Sequence, residues 1–258
     1  MADKLSINQN QRTLITRTRI LGIPVDCVLQ EDFHAVLDRL MDSQEPAQIV
    51  FLRTRDLLRA RRDRSYRKTL EAASLVLPVS KEITRGLHAL GRPMPARYYP
   101  FDAIISVLGW LERRRGTLYL LGGSSTAISQ IESNLRQTFP GARIVGRFMG
   151  RYSREMETNI CMAIRKASPN LLLVGDGPRG ENKWLYRRRT RLNSGIQIYS
   201  REFFNMTLGT TPRVSRISFR NGREFLREWY RNPLLVFTGI HLPWFRFLVL
   251  MERVFRRR

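Results

Sequence analysis

Thr117-Leu-Tyr-Leu-Leu-Gly-Gly-Ser-Ser-Thr126 is an apolar run too short for a helix, broken by two glycines and continued by hydroxyl residues. That order predicts a buried strand, a tight turn and a helix N-terminus. Glycine permits positive φ and close backbone approach, and the first amides of the following helix point outward with the positive end of its dipole. An anion can rest there. Asn170-Leu-Leu-Leu-Val-Gly-Asp-Gly177 repeats the design about fifty residues later. Two strand-to-glycine turns fit an open parallel sheet with its ligand at the carboxyl ends of the strands. Glycines that only shape tight βα turns would give the same pattern, so both readings stay open.

Working outward, apolar strand-like runs alternate with helical periodicity. Strands are expected at Ile20–Asp26, Gln48–Leu52, Ser74–Pro78, Ala142–Gly146 and Ile196–Tyr199. Between them, Phe33, Val36, Leu37, Leu40 and Met41 have helical spacing, and helices are expected at 55–73, 83–90, 102–115, 127–139, 154–167 and 184–192. This alternation predicts an α/β, Rossmann-like, mainly parallel sheet with helices on both faces, built from right-handed βαβ units. Residues 1–19 read as a loose basic arm, 20–205 as the Rossmann-like domain and 206–258 as a C-terminal helical appendage.

The chain has 258 residues and a net charge of +23; 40 of its 45 basic residues are arginine, whose planar fork suits phosphate. Such a field favours a polyanion or an anionic membrane surface. In the appendage, Arg213, Arg216, Arg220 and Arg223 recur at helical spacing ahead of the apolar, aromatic run 233–251. That run is about long enough to span a bilayer, but Pro233, Gly239, His241, Pro243 and Arg246 interrupt it. An interfacial segment lying on the membrane fits better, with docking onto the domain or a subunit interface as the other reading. Nucleic acid is a weaker match for the charge, because the aromatics gather in the apolar tail and no RRM, KH or zinc signature occurs. Cys27 and Cys161 stand alone, no His/Cys/carboxylate set has metal-ligand spacing, and no leader-like apolar run opens the chain.

Several short strings together resemble the WecG/TagA/CpsF family of bacterial glycosyltransferases, glycosyltransferase family 26. They are Ile20-Leu-Gly-Ile-Pro-Val-Asp26, Ala60-Arg-Arg-Asp63, Leu75-Val-Leu-Pro78, Leu120-Leu-Gly-Gly123, Pro140-Gly141, and Leu171–Gly175 with Gly177 and Trp184. Gly209, Arg213, Arg216, Arg220, Gly222 and Pro233 continue the match without a gap. The resemblance implies transfer of an N-acetylmannosamine-type sugar from a UDP donor to a polyprenyl-diphosphate-linked sugar, without a metal or other cofactor. It places the protein at the cytoplasmic face of the inner membrane as a peripheral protein, with homo-oligomers or a partner transferase.

The departures fall on the chemistry. Where the family carries Asp-Gly after its Leu-Pro, with the aspartate as proposed general base, this chain has Val79 and Ser80. Valine cannot accept a proton. Phe51 and Arg53 replace pocket Thr and Asn, Arg179–Asn182 replaces Pro-Lys-Gln-Glu, and Phe204-Asn205 replaces Phe-Asp. Glu82 and Asp102 are the candidate replacement bases. Gly122, Gly123, Ser124, Gly175, Asp176, Gly177, Arg213, Arg216 and Arg220 are the candidate nucleotide-sugar or diphosphate ligands. An inactive paralogue that binds these ligands or scaffolds another transferase is the competing function.

Overall fold

Short aliphatic runs bounded by turn residues become the strands of a six-stranded parallel sheet in a computed structural model that describes residues 14–43, 45–213, 219 and 241–255. The strands are β3 (Ala47–Leu52), β4 (Leu75–Pro78), β5 (Thr117–Leu121), β6 (Arg143–Phe148), β7 (Leu171–Val174) and β8 (Ile196–Tyr199), in the order β4-β3-β8-β7-β5-β6. Every pairing is parallel. The chain moves outward in one direction from β5 to β6 and in the other from β7 to β8, so the order reverses between β5 and β7. Loops part at such a point and leave a crevice at the carboxyl ends.

Period-two alternation divides each strand between two cores. Leu118, Leu120, Leu171, Leu173, Ile196 and Ile198 meet the helices α1 (Phe33–Asp42), α5 (Pro100–Arg113), α6 (Ser125–Thr138) and α9 (Arg201–Thr207) on one face. On the other face, Tyr119, Leu121, Leu172 and Val174 pack with α7 (Arg154–Ala167) and α8 (Asn182–Leu192). Val50, Leu52 and Val76 pack there with α2 (Thr54–Arg62), α3 (Arg64–Ala72), α4 (Lys81–Ala89) and α10 (His241–Phe255). Each fully buried aliphatic side chain contributes about 1.5–3 kcal/mol.

Three local features differ from the sequence reading. Thr16–Arg19, expected in the loose arm, belong to β1 (Thr16–Ile20), which pairs antiparallel with β2 (Ile23–Cys27). Arg17 grips the buried Asp26 through two bonds of 2.7 and 2.8 Å, and Asp26 accepts the Val76 amide at 2.6 Å, so the hairpin is fastened to the edge strand β4. The expected single helix 55–73 breaks at Asp63, whose extended backbone ends α2 while its carboxylate caps α3 through the Tyr66 amide. In the appendage, α10 docks on the domain through buried Phe245 and Val249. Its Glu252 accepts the Leu21 amide at 2.8 Å and Arg92 at 2.6 Å.

Candidate functional site

The glycine corners determine how closely the loops at the carboxyl edge approach. A Cβ on Gly122 would lie 2.7 Å from the Gly175 Cα, so the β5 and β7 corners touch backbone to backbone. The amide of Gly122 donates to Phe148, that of Gly123 to Asp176, that of Gly150 to Gly123 and that of Gly175 to Leu121. These amides stitch three loops together, and Ser124 uses its hydroxyl to cap α6 at the Ala127 amide. Gly122, Gly123, Ser124 and Gly175 thus come together as the rigid base of the edge. Asp176 faces Arg201 at 3.1 Å, and Gly177 opens onto a cavity between α7 and α8.

Beyond β3 and β8 the edge is dense with paired charge. Arg53 binds Glu202, Arg59 meets Glu181 at 3.4 Å, and Arg201 also reaches Glu181 at 3.6 Å. Burial pushes the Tyr199 phenol up to about 12, and the neighbouring Tyr199 and Asp176 raise Arg201. Desolvation also raises Asp56 at the start of α2, although Arg53 and Arg55 oppose it.

At the β4 end, Val79 occupies the corner where the resemblance expects a carboxylate. It is only 6% exposed; its amide donates to Leu52 and its carbonyl accepts Arg97 Nε at 2.8 Å. Arg97 also donates to the Phe219 carbonyl at 2.7 Å and lies 4.1 Å from the centre of that ring. Arg97, Tyr98, Tyr99, Asp102, Ser106 and Phe219 help to line a cavity of about 850 Å³. Asp102, in the first turn of α5, forms an ion pair with Arg213, whose guanidinium lies 4.8 Å from the Phe101 ring.

The two candidate bases are not neighbours. Glu82 is held by Arg85 at 3.0 Å and Arg246 at 3.4 Å in the groove between α4 and α10. Asp102 sits on α5, which packs on the opposite face of the sheet. Helix α9 links Asp102 to the glycine corner instead: its Phe204 ring covers Gly175, and its Phe203 lies 5.5 Å from Phe101. Arg213 therefore shares an edge with the glycines, whereas Arg216 and Arg220 lie outside the described residues.

Arg97 went unnoticed in the sequence, although a lone arginine between Ala96 and two tyrosines, just ahead of Pro100, is an unusual loop residue. Among the described residues, no three His, Cys, Asp or Glu side chains gather as metal ligands would.

Comparison with known proteins adds to this geometry. The chain is 21% identical over 191 residues to the N-acetylglucosaminyldiphosphoundecaprenol N-acetyl-beta-D-mannosaminyltransferase of Bacillus subtilis (strain 168), with 74% of each chain covered. The model of the Glycosyl transferase WecG/TagA/CpsF family matches residues 18–258, nearly the whole sequence. On that match, with a parallel sheet whose strand order reverses between two glycine corners, the chain belongs to the WecG/TagA/CpsF family of glycosyltransferases.

Proposed function

We propose that the protein transfers an N-acetylmannosamine-type sugar from a UDP donor to a polyprenyl-diphosphate-linked sugar during bacterial cell-surface polysaccharide synthesis. The observation that carries this reading is the cavity at the β4 end, lined by Arg97, Asp102 and aromatic walls, with Arg213 paired to Asp102. Arginines there suit a diphosphate, and the aromatic rings suit the apolar part of a glycolipid. The B. subtilis relative acts on such an acceptor, which supports the same substrate class here.

In the reaction, the acceptor hydroxyl attacks the anomeric carbon, the bond from that carbon to the donor phosphate breaks, and its electron pair leaves with UDP. The hydroxyl proton must go to a base. Asp102 is the carboxylate in that cavity, so it takes this role in place of the residue at Val79. Arginine charge stabilises the departing diphosphate and lowers the demand on the base.

Helix α10 supports a peripheral position on an anionic membrane. Its outer face exposes Trp244, Phe247, Leu250, Val254 and Phe255, with Arg246 and Arg253 on the same helix. This combination fits the headgroup boundary. Among the described residues no helix is long and apolar enough to cross a membrane.

The test is UDP release from a panel of UDP-sugars with polyprenyl-diphosphate-linked acceptor in anionic vesicles. Asp102→Asn is expected to lower turnover about 100-fold to 10,000-fold with little change in donor binding. Full turnover by that variant would overturn the assignment. Buried Val79 favours one second reading, a binding or scaffold partner of another transferase. That reading replaces the first if the wild-type protein binds donor and acceptor but never releases UDP.

A further inference from the structure

One face of helix α5 walls the cavity at the β4 end: Tyr99 at its N-cap, then Asp102, Ala103 and Ser106, recur at the spacing that keeps side chains on one side of a helix. Asp102 and Ser106 are one turn apart on that wall, where neighbouring side chains lie about 5–6 Å from each other. The reaction above uses Asp102 and gives Ser106 no task.

Ser106 ends a relay that begins further along α5 and passes through α1. Arg113 Nη2 donates to His34 Nδ1 at 3.1 Å, and His34 Nε2 lies 2.8 Å from Ser106 Oγ. A guanidinium has no lone pair to offer, so Nδ1 is the acceptor. The imidazole therefore carries its proton on Nε2 and donates it to Ser106. This order excludes a nucleophilic serine, because a histidine that already donates to the hydroxyl cannot take its proton. Nor does the acid one turn along α1 stand behind the ring: Asp38 accepts Trp110 Nε1 at 2.6 Å and pairs with Arg114.

With one lone pair filled by His34, the Ser106 hydroxyl keeps its own proton for the cavity. The tyrosine hydroxyls of the same wall are committed: Tyr98 donates to the Val28 and Leu29 carbonyls, and Tyr99 to Met206 Sδ at 3.3 Å. Donors aligned in one direction polarise one another, so the last O–H in the relay is a stronger donor than a lone serine. Its complement is a carbonyl or hydroxyl oxygen.

We propose that Ser106 donates a hydrogen bond to an oxygen of the acceptor sugar and so sets that sugar's attacking hydroxyl against Asp102. His34 and Arg113 are positioning residues that hold the serine in its donor state. A hydrogen-bond donor and a base one helical turn apart match the span of a single sugar ring, and the ring in contact with the base is the acceptor's. The proposal rests on the transferase reading above.

The experiment measures UDP release by the full chain in anionic vesicles, varying the polyprenyl-diphosphate-linked acceptor and the UDP-sugar in turn. Ser106→Ala is expected to raise KM for the acceptor about threefold to tenfold, the worth of one hydrogen bond, and to leave KM for the UDP-sugar unchanged. Ser106→Thr, which keeps the hydroxyl, should restore the acceptor KM. His34→Leu should reproduce the Ser106→Ala defect, and His34→Gln, which supplies an amide donor, should relieve it. Because His34 acts through Ser106, His34→Leu should add nothing to Ser106→Ala, whereas a merely structural histidine would cost the same in both backgrounds. Melting temperatures serve as the folding check. An unchanged acceptor KM in Ser106→Ala, equal changes for both substrates, or no recovery in Ser106→Thr would overturn the proposal. If the wild-type protein releases no UDP, the transferase reading fails and vesicle binding decides this one. The wild type should then bind vesicles carrying the sugar-bearing polyprenyl diphosphate more tightly than vesicles carrying polyprenyl diphosphate alone, and Ser106→Ala should lose most of that preference. No preference in the wild type, or one that Ser106→Ala keeps, would equally overturn it.

Discussion

On the β3/β8 side of the carboxyl edge, Arg53, Arg59 and Arg201 each hold an acidic partner. On the β6/β7 side, Arg151, Arg154, Arg179 and Arg187 hold none among the described residues. One residue type, on one sheet edge, therefore has two roles. Paired arginines on a surface add little stability, about 0–1 kcal/mol each, but they cancel the local field and fasten loops together. Unpaired ones leave the field in place for an incoming anion. In a chain with a net charge of +23, arginine content alone says nothing about ligands; the distribution of its 22 acids does.

Both halves stand on the same glycine base, so the largest expected effect comes from breaking it. Gly150→Ala would drive a Cβ into the Asp176 carbonyl, which is backbone and cannot rotate away. The loops must part, at a cost of about 3 kcal/mol by chemical denaturation. Gly91→Ala is the control. Gly91 has φ +66° but open space around it, so only backbone strain of about 1 kcal/mol is expected. Equal losses at the two glycines would mean that loop contact is not what holds the edge.

A smaller effect tests the contrast itself. Asp176→Asn combined with Glu181→Gln would unpair Arg201 and leave Arg59 only Asp63 at 4.0 Å, bringing the β3/β8 side closer to the electrical state of the other. Pyrophosphate affinity at low salt should then rise, by about threefold to tenfold, and the gain should fade as salt screens it. No gain would show that unpaired arginine alone does not make an anion site.

How much of this could be read in the sequence depends on how local the cause was. The strand-turn-helix order at Leu121–Ser125 and Val174–Gly177 is written in neighbouring residues, and the parallel sheet follows from it. Strand β1 escaped because Thr16–Ile20 is polar and basic, and only the pairing of Arg17 with buried Asp26 makes it a strand. The break at Asp63 was hidden in an arginine-rich run whose helical propensity is high on both sides. Among site residues, Asp102 and Arg213 were legible one at a time, but their ion pair spans 111 positions. The cavity between α7 and α8 is less legible still, since its arginines come from two stretches, 151–154 and 179–188, that only the fold brings together. Glu82 was chosen for its nearness in sequence to Val79, yet helix α4 turns it towards α10.

The smallest expected effect lies at Asp56, on the paired side. Its neighbours are Arg53 and Arg55, which favour the carboxylate, and Glu181 and Tyr66, which stand against it or beside it in poorly solvated surroundings. Desolvation prevails, so the folded protein holds this proton more tightly than the unfolded chain does. Stability from this group is therefore complete below the ordinary carboxylate pKa and is lost as pH rises through the raised folded value. Asp56→Asn removes that loss and keeps an oxygen for the Arg53 amide, which Asp56 accepts at 3.3 Å. The variant should be more stable than wild type at neutral pH, by less than about 1 kcal/mol, with the difference shrinking as the solution is acidified. A variant less stable at neutral pH would show that the arginines outweigh burial at Asp56. The paired side would then be held together by attraction strong enough to matter for folding, and its contrast with the β6/β7 side would be one of degree.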